Sequence, residues 1–176
     1  MSANDKKKAL IISISEYDSF ENLPFCLNDG EEMYKLLKQK LVYEVPDNNK
    51  LVGNVPYETM KDALVKFFTD PDNKEDTLIF YFSGHGTLDT RGNSYFACSE
   101  TDPLLPYVNG IGFDFLSQLA HDCKSNKIVM ILDCCYSGTA TLGKGKGETD
   151  EEGILMAARD RQHSSPKSKD TKGKSS

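Results

Sequence analysis

Two short segments of this chain carry residues able to make and break bonds. Ser83-Gly84-His85-Gly86 sets an imidazole between two glycines, and Asp133-Cys134-Cys135-Tyr136-Ser137-Gly138 sets two thiols beside a carboxylate. A thiolate attacks a carbonyl carbon readily, and an imidazole can carry a proton to a leaving amine. Cys135 can supply the first function and His85 the second. Glycines beside His85 leave room for a substrate strand, because they present no side chain. The backbone amides of Gly86 and Cys135 are candidate donors to the oxyanion of an acyl-transfer step. Each motif alone also has a plain structural reading: a cysteine at a strand end commonly packs as a small hydrophobe, and a single histidine is often structural.

The elements that must position these residues follow from hydrophobic periodicity. Residues 9–14 form a compact apolar run that predicts a first buried strand, and residues 15–28 read as a polar, Pro-containing loop. Residues 30–41 place Met33, Tyr34, Leu36, Leu37 and Leu41 at helical intervals, with Asp29 as N-cap and Glu32 completing a capping box. Residues 47–54 predict a loop or short edge element. Pro56 can open a second helix, on which Tyr57, Met60, Leu64, Phe67 and Phe68 share a face, and Asp70-Pro71 stops it. Residues 77–82 and 128–132 predict central strands, 94–97 and 154–158 further strands, and 113–120 a third helix. This alternation predicts an α/β fold, a mainly parallel sheet flanked by helices on both faces. Functional crevices in such sheets lie beyond the carboxyl ends of the strands, where both motifs fall.

His85 lies 50 positions upstream of Cys135, and a separation of about 50 is the spacing known for caspases. With both motifs in this order, the chain resembles the caspase-like cysteine peptidases, most closely the metacaspases and their bacterial and archaeal caspase homologues. Ser83-Gly84-His85-Gly86 resembles the family's histidine motif. Asp133-Cys134-Cys135-Tyr136-Ser137-Gly138 resembles its nucleophile motif, with the second cysteine in the catalytic position. Cys26-Leu27-Asn28-Asp29 resembles the segment before the family's first helix. The animal caspase pattern of Gln-Ala-Cys is absent, and Asp133 with Tyr136-Ser137 points to the metacaspase side. The resemblance implies cleavage after Arg or Lys, with Asp29 and Asp133 lining the substrate pocket; carboxylates suit that role chemically. It leaves two readings open, an active endopeptidase and an inactive caspase-like scaffold or regulatory protein.

Composition narrows the rest. The net charge of -6 over 176 residues gives no reason to expect a nucleic-acid partner, and no stretch approaches membrane-spanning length. Five cysteines without a secreted-scaffold density, and no cleavable leader, point to a reducing, cytoplasmic setting. His121-Asp122-Cys123 and Asp133-Cys134-Cys135 lack the separated paired-ligand pattern of a structural zinc site. Gly143-Lys144-Gly145-Lys146-Gly147 lacks the Ser/Thr and the strand-to-helix context of a phosphate loop. The chemical step needs no cofactor. The resemblance raises calcium activation, for which Asp89, Glu100 and Asp102 offer oxygen ligands, although no acidic doublet follows the histidine motif.

Residues 1–163 read as one catalytic domain, comprising the family's large portion and the start of its small one. Residues 164–176 read as a flexible basic tail rich in Ser, Lys and Gly. The family's final strand is not evident, so the remaining chain or a companion small subunit is an expected partner beside the peptide substrate. Lys144, Lys146, Lys167, Lys169, Lys172 and Lys174 are candidate self-processing positions.

Overall fold

The computed structural model describes residues 6–136 and 154–159, with residues 75, 135, 136 and 154–159 described as backbone. Three apolar segments with β-branched and aromatic character form its centre: β1 (Lys7–Ile14), β3 (Thr77–Leu88) and β6 (Lys127–Tyr136). β1 and β6 both run parallel to β3, with Ala9, Ile79 and Val129 at one register level. Two shorter strands extend this block in parallel: β2 (Lys50–Gly53) beside β1, and β7 (Ile154–Arg159) beside β6.

The sheet as a whole is mixed, which corrects the mainly parallel sheet expected from the alternation of elements. β4 (Ser94–Ala97) pairs antiparallel with the end of β3, and β5 (Gly110–Gly112) pairs antiparallel with β4. The reason is local. β1 accompanies β3 only as far as Ser83, whereas β6 continues to Gly86. Gly86 pairs with Phe96 and also with Tyr136, so β4 takes the edge that β1 leaves. The link from β3 to β4 is too short for a crossover and can only turn back. Gly92, at φ 87°, supplies the left-handed turn residue, and the Asp89 carboxylate accepts from the amides of Arg91 and Asn93 at 2.8 and 2.9 Å.

Helices cover both faces. Even-numbered residues of the central strands, including Leu10, Ile12, Phe80, Phe82, Met130 and Leu132, pack under α2 (Tyr57–Thr69) and α4 (Phe113–Asp122). Met60, Leu64, Phe67 and Phe68 of α2 supply the helix side of that layer, on the face the periodicity predicted. Phe68, Phe80, Phe82 and Phe96 are fully buried, and each such ring is worth roughly 1.5–3 kcal/mol of burial. Odd-numbered residues, Ala9, Ile11, Ile79 and Tyr81, form the second layer with Leu37 and partly buried Met33 and Tyr34.

Met33 and Tyr34 belong to α1, and here the sequence reading needs a second correction. α1 spans Pro24–Lys35 and widens into a π turn at Leu36–Lys40. It begins six residues before the expected start at Gly30, with Pro24 at its first position and no side-chain cap. Proline suits that position because its missing N–H is unused there, and the Leu23 amide is tied back to the Ser15 carbonyl at 2.9 Å. Asp29 therefore lies inside the helix and has no capping role.

At the opposite end of the strands, the half-exposed start of β1 is anchored by charge. The Lys8 ammonium sits 2.8 Å from Asp76 and 3.2 Å from Asp70. Burial alone would lower its pKa, but hydrogen bonds to Asp76 and Asp70 outweigh this and the net shift is upward. Asp76 also accepts the Lys6 amide at 3.1 Å and is almost wholly buried. Asp76→Ala should destabilise the protein by about 1–3 kcal/mol, since it removes the nearer carboxylate from Lys8 and the acceptor from the Lys6 amide; urea unfolding of the variant against wild type measures this.

Candidate active site

At the carboxyl ends of the central strands the odd-numbered row changes from apolar to polar. Ser13, Ser83 and Asp133 occupy one register level on β1, β3 and β6. α1 lies close over this row: a Cβ on Gly30 would stand 2.7 Å from the Ser13 Cβ. The Ser13 hydroxyl donates to the Cys26 carbonyl, and the Ser83 hydroxyl donates to the Cys26 sulfur at 3.2 Å. Cys26 is thus buried in the contact between helix and sheet.

Asp29 and Asp133, placed 104 positions apart in the chain, both act by their charge on one phenol, that of Tyr81. The Tyr81 hydroxyl is pushed up to about 12, first by burial. A hydrogen bond with Ser83 opposes the shift, and the negative charges of Asp133 and Asp29 add to it. Both carboxylates are half-buried, and they reach this place from different elements, Asp29 from α1 and Asp133 from β6. Tyr81, which the sequence reading treated as a strand residue, joins them.

Two residues further along each strand, His85 pairs in register with Cys135. Both lie within strands and not in loops after them, because β3 and β6 are longer than their apolar cores suggest. Gly86 follows, paired on both of its edges. The His85 ring is held by a loop that the sequence marks only as polar. His85 Nε2 lies 2.7 Å from the Glu21 carbonyl oxygen. A carbonyl oxygen only accepts, so Nε2 carries the hydrogen, and in the neutral ring Nδ1 is the nitrogen able to take a proton. Phe20 stacks on the imidazole with centroids 5.0 Å apart, and Tyr17 meets it edge-on at 4.8 Å. A main-chain carbonyl leaves no mark in a sequence, which is why this partner was not foreseen.

The other acidic candidates do not gather. Asp89 closes its own turn, Glu100 accepts the Tyr57 amide at 2.8 Å, and Asp102 accepts the Leu104 amide at 2.8 Å. Among the described residues no three His, Cys, Asp or Glu side chains are arranged to hold a metal ion. Cys134 packs in the core with Cys98, as the alternation along a strand requires. Lys144, Lys146, Lys167, Lys169, Lys172 and Lys174 lie outside the described residues, as does the tail. No described helix is long and apolar enough to cross a membrane.

The profile of the caspase domain, peptidase family C14, matches residues 6–175, and the chain belongs to that family. It is 27% identical over 173 residues to a metacaspase-1 of Debaryomyces hansenii, which covers 88% of this chain and 39% of that protein. A metacaspase-7 of Arabidopsis thaliana is 26% identical over 144 residues, 75% of this chain and 35% of the relative. A metacaspase-1 of Schizosaccharomyces pombe is 26% identical over 152 residues, with shares of 77% and 35%. The chain thus spans about two-fifths or less of the length of these relatives.

Two outcomes follow from this geometry. Gly84→Ala would set a Cβ 2.5 Å from the Tyr17 hydroxyl and 3.0 Å from the Phe82 ring, and such overpacking costs about 1–3 kcal/mol; thermal unfolding should show a lowered Tm. The second concerns pH. Free tyrosine ionises near pH 10, whereas Tyr81 holds its proton to about 12. Above pH 10 the unfolded chain releases protons first, so stability present below that value is lost as pH rises toward 12. Denaturant midpoints across this window should fall less steeply in Tyr81→Phe than in wild type.

Proposed function

We propose that this chain is the catalytic part of a cysteine endopeptidase in which Cys135 is the nucleophile and His85 its proton carrier. The observation that carries the reading is the in-register pairing of His85 with Cys135, together with the Glu21 carbonyl on His85 Nε2. With Nε2 so occupied, Nδ1 takes the Cys135 proton. The thiolate then attacks the scissile carbonyl, and a tetrahedral oxyanion forms whose charge the amides of Gly86 and Cys135 stabilise. His85 returns the proton to the leaving amine, the C–N bond breaks, and a thioester remains. Water, deprotonated by the same imidazole, hydrolyses that thioester and regenerates the thiol. Nucleophile, base and oxyanion donors all come from the chain itself.

Specificity for Arg or Lys before the cut rests on Asp29 and Asp133. Two carboxylates brought around Tyr81 by separate elements make a negative site that an Asp side chain would not enter. A guanidinium would bind there through charge-assisted hydrogen bonds. The relatives carry the name metacaspase, and the remaining length in those proteins supports a companion portion of chain as partner. Lysines in residues 144–174 are proposed as self-processing positions of the same peptidase.

Initial rates on matched peptides ending in Arg, Lys or Asp before a reporter test the reading. Cys135→Ala should abolish cleavage, and His85→Ala should lower kcat by about 10²–10⁴-fold. Asp29→Asn or Asp133→Asn should lower kcat/KM for the arginyl peptide by about 10–100-fold. Preference for the aspartyl peptide would overturn the basic specificity. Cleavage that survives Cys135→Ala would overturn the nucleophile assignment, and folded wild-type protein inert to peptides and to thiol-directed peptide electrophiles would favour a scaffold.

A further inference from the structure

The edge of β3 that faces β1 has an interval without a strand. The last pair with β1 is Ser13–Ser83 and the first with β4 is Gly86–Phe96, so Gly84 and His85 are flanked there by neither. A backbone amide in a sheet interior needs an acceptor, and leaving it without one costs about 1–3 kcal/mol. The Tyr17 hydroxyl fills this role: His85 N–H donates to it at 2.9 Å. The same residue's ring meets the imidazole edge-on at 4.8 Å, and Phe20 stacks on the imidazole at 5.0 Å.

We propose that Tyr17 is a positioning residue for His85, its hydroxyl standing in for the missing strand and its ring, with Phe20, retaining one orientation of the imidazole. Further observations agree. The Asn22 side chain accepts the Tyr17 amide at 2.8 Å, the Leu23 amide donates to the Ser15 carbonyl at 2.9 Å, and the Asp18 amide donates to the Ser99 carbonyl at 2.8 Å. The loop from 15 to 23 is thereby closed on itself and tied to the body, and it also carries the Glu21 carbonyl. Gly84 is matched to this arrangement, since any Cβ there would collide with the Tyr17 hydroxyl. Tyr17 is nearly buried, and burial raises its pKa well above that of free tyrosine, so the phenol stays neutral across the working range. Neutral, it accepts the His85 amide without adding a charge that would bias the imidazole.

The proposal rests on the reading that His85 carries the proton, and its test separates the two. Tyr17→Phe keeps the ring and removes the hydroxyl; Tyr17→Leu removes both. In the active chain, Tyr17→Phe should lower kcat about 10-fold with KM within two-fold, and lower Tm by the few degrees that an amide without its acceptor costs, and Tyr17→Leu should fall further. Nitrogen NMR of the His85 ring should show the Nε2–H form in wild type and a mixture of tautomers or orientations in Tyr17→Leu. If Tyr17→Phe and Tyr17→Leu both keep wild-type kcat and the wild-type ring spectrum, the positioning role is refuted while the peptidase reading stands. If wild type cleaves nothing yet its ring spectrum changes on Tyr17→Leu, the peptidase reading fails and the positioning role survives. Where a variant melts low, the ring spectrum of its folded form at reduced temperature decides in the same two ways.

Discussion

The site depends on the register between β3 and β6. These strands pair over ten successive residues, from Thr77 with Lys127 to Gly86 with Tyr136. Side chains in a strand alternate faces, so a slip of one residue would exchange every inward and outward position. The apolar layers prevent that slip. Phe80, Phe82, Met130 and Leu132 are held under α2 and α4 on one side, and Ile79 and Tyr81 under α1 on the other. Register set by burial in the first half of each strand is transmitted unchanged to the second half, where the polar row and the His85–Cys135 pair stand. The core thus positions the polar row and the His85–Cys135 pair, which stand within the last four residue levels of the ladder.

A second constraint is the changing company of β3 along its length. It is flanked by β1 and β6 in its apolar half, by Tyr17 and β6 at His85, and by β4 and β6 from Gly86. Each change of neighbour falls at a glycine or at a residue with a polar side chain. The interval opened by the end of β1 gives the loop from 15 to 23 access to the imidazole, and the same interval makes a glycine necessary at 84. The antiparallel arm of β4 and β5 then closes the edge with short strands, which limits the exposed ladder.

Charge is placed by the same logic. At one end of the strands, Lys8 with Asp70 and Asp76 neutralises buried groups and anchors β1. At the other, the negative charges of Asp29 and Asp133 both bear on the Tyr81 hydroxyl.

What the sequence by itself determined is whatever periodicity and local chemistry encode. The central strands, the apolar face of α2, the helix near 113–120, and the two motifs with their spacing of 50 were legible because burial imposes a pattern on consecutive residues. Membership of the caspase-domain family was legible in the same motifs. The mixed character of the sheet was not, because strand direction depends on which edge is vacant, and that is settled by where β1 ends. The start of α1 at Pro24 was missed because the capping box at Asp29 and Glu32 is a local signal that packing onto Ser13 and Ser83 overrides. The acceptor role of Tyr17 and the carbonyl of Glu21 were decided by the tertiary structure alone. Each joins groups distant in the chain, and one of them is a main-chain atom that every residue possesses.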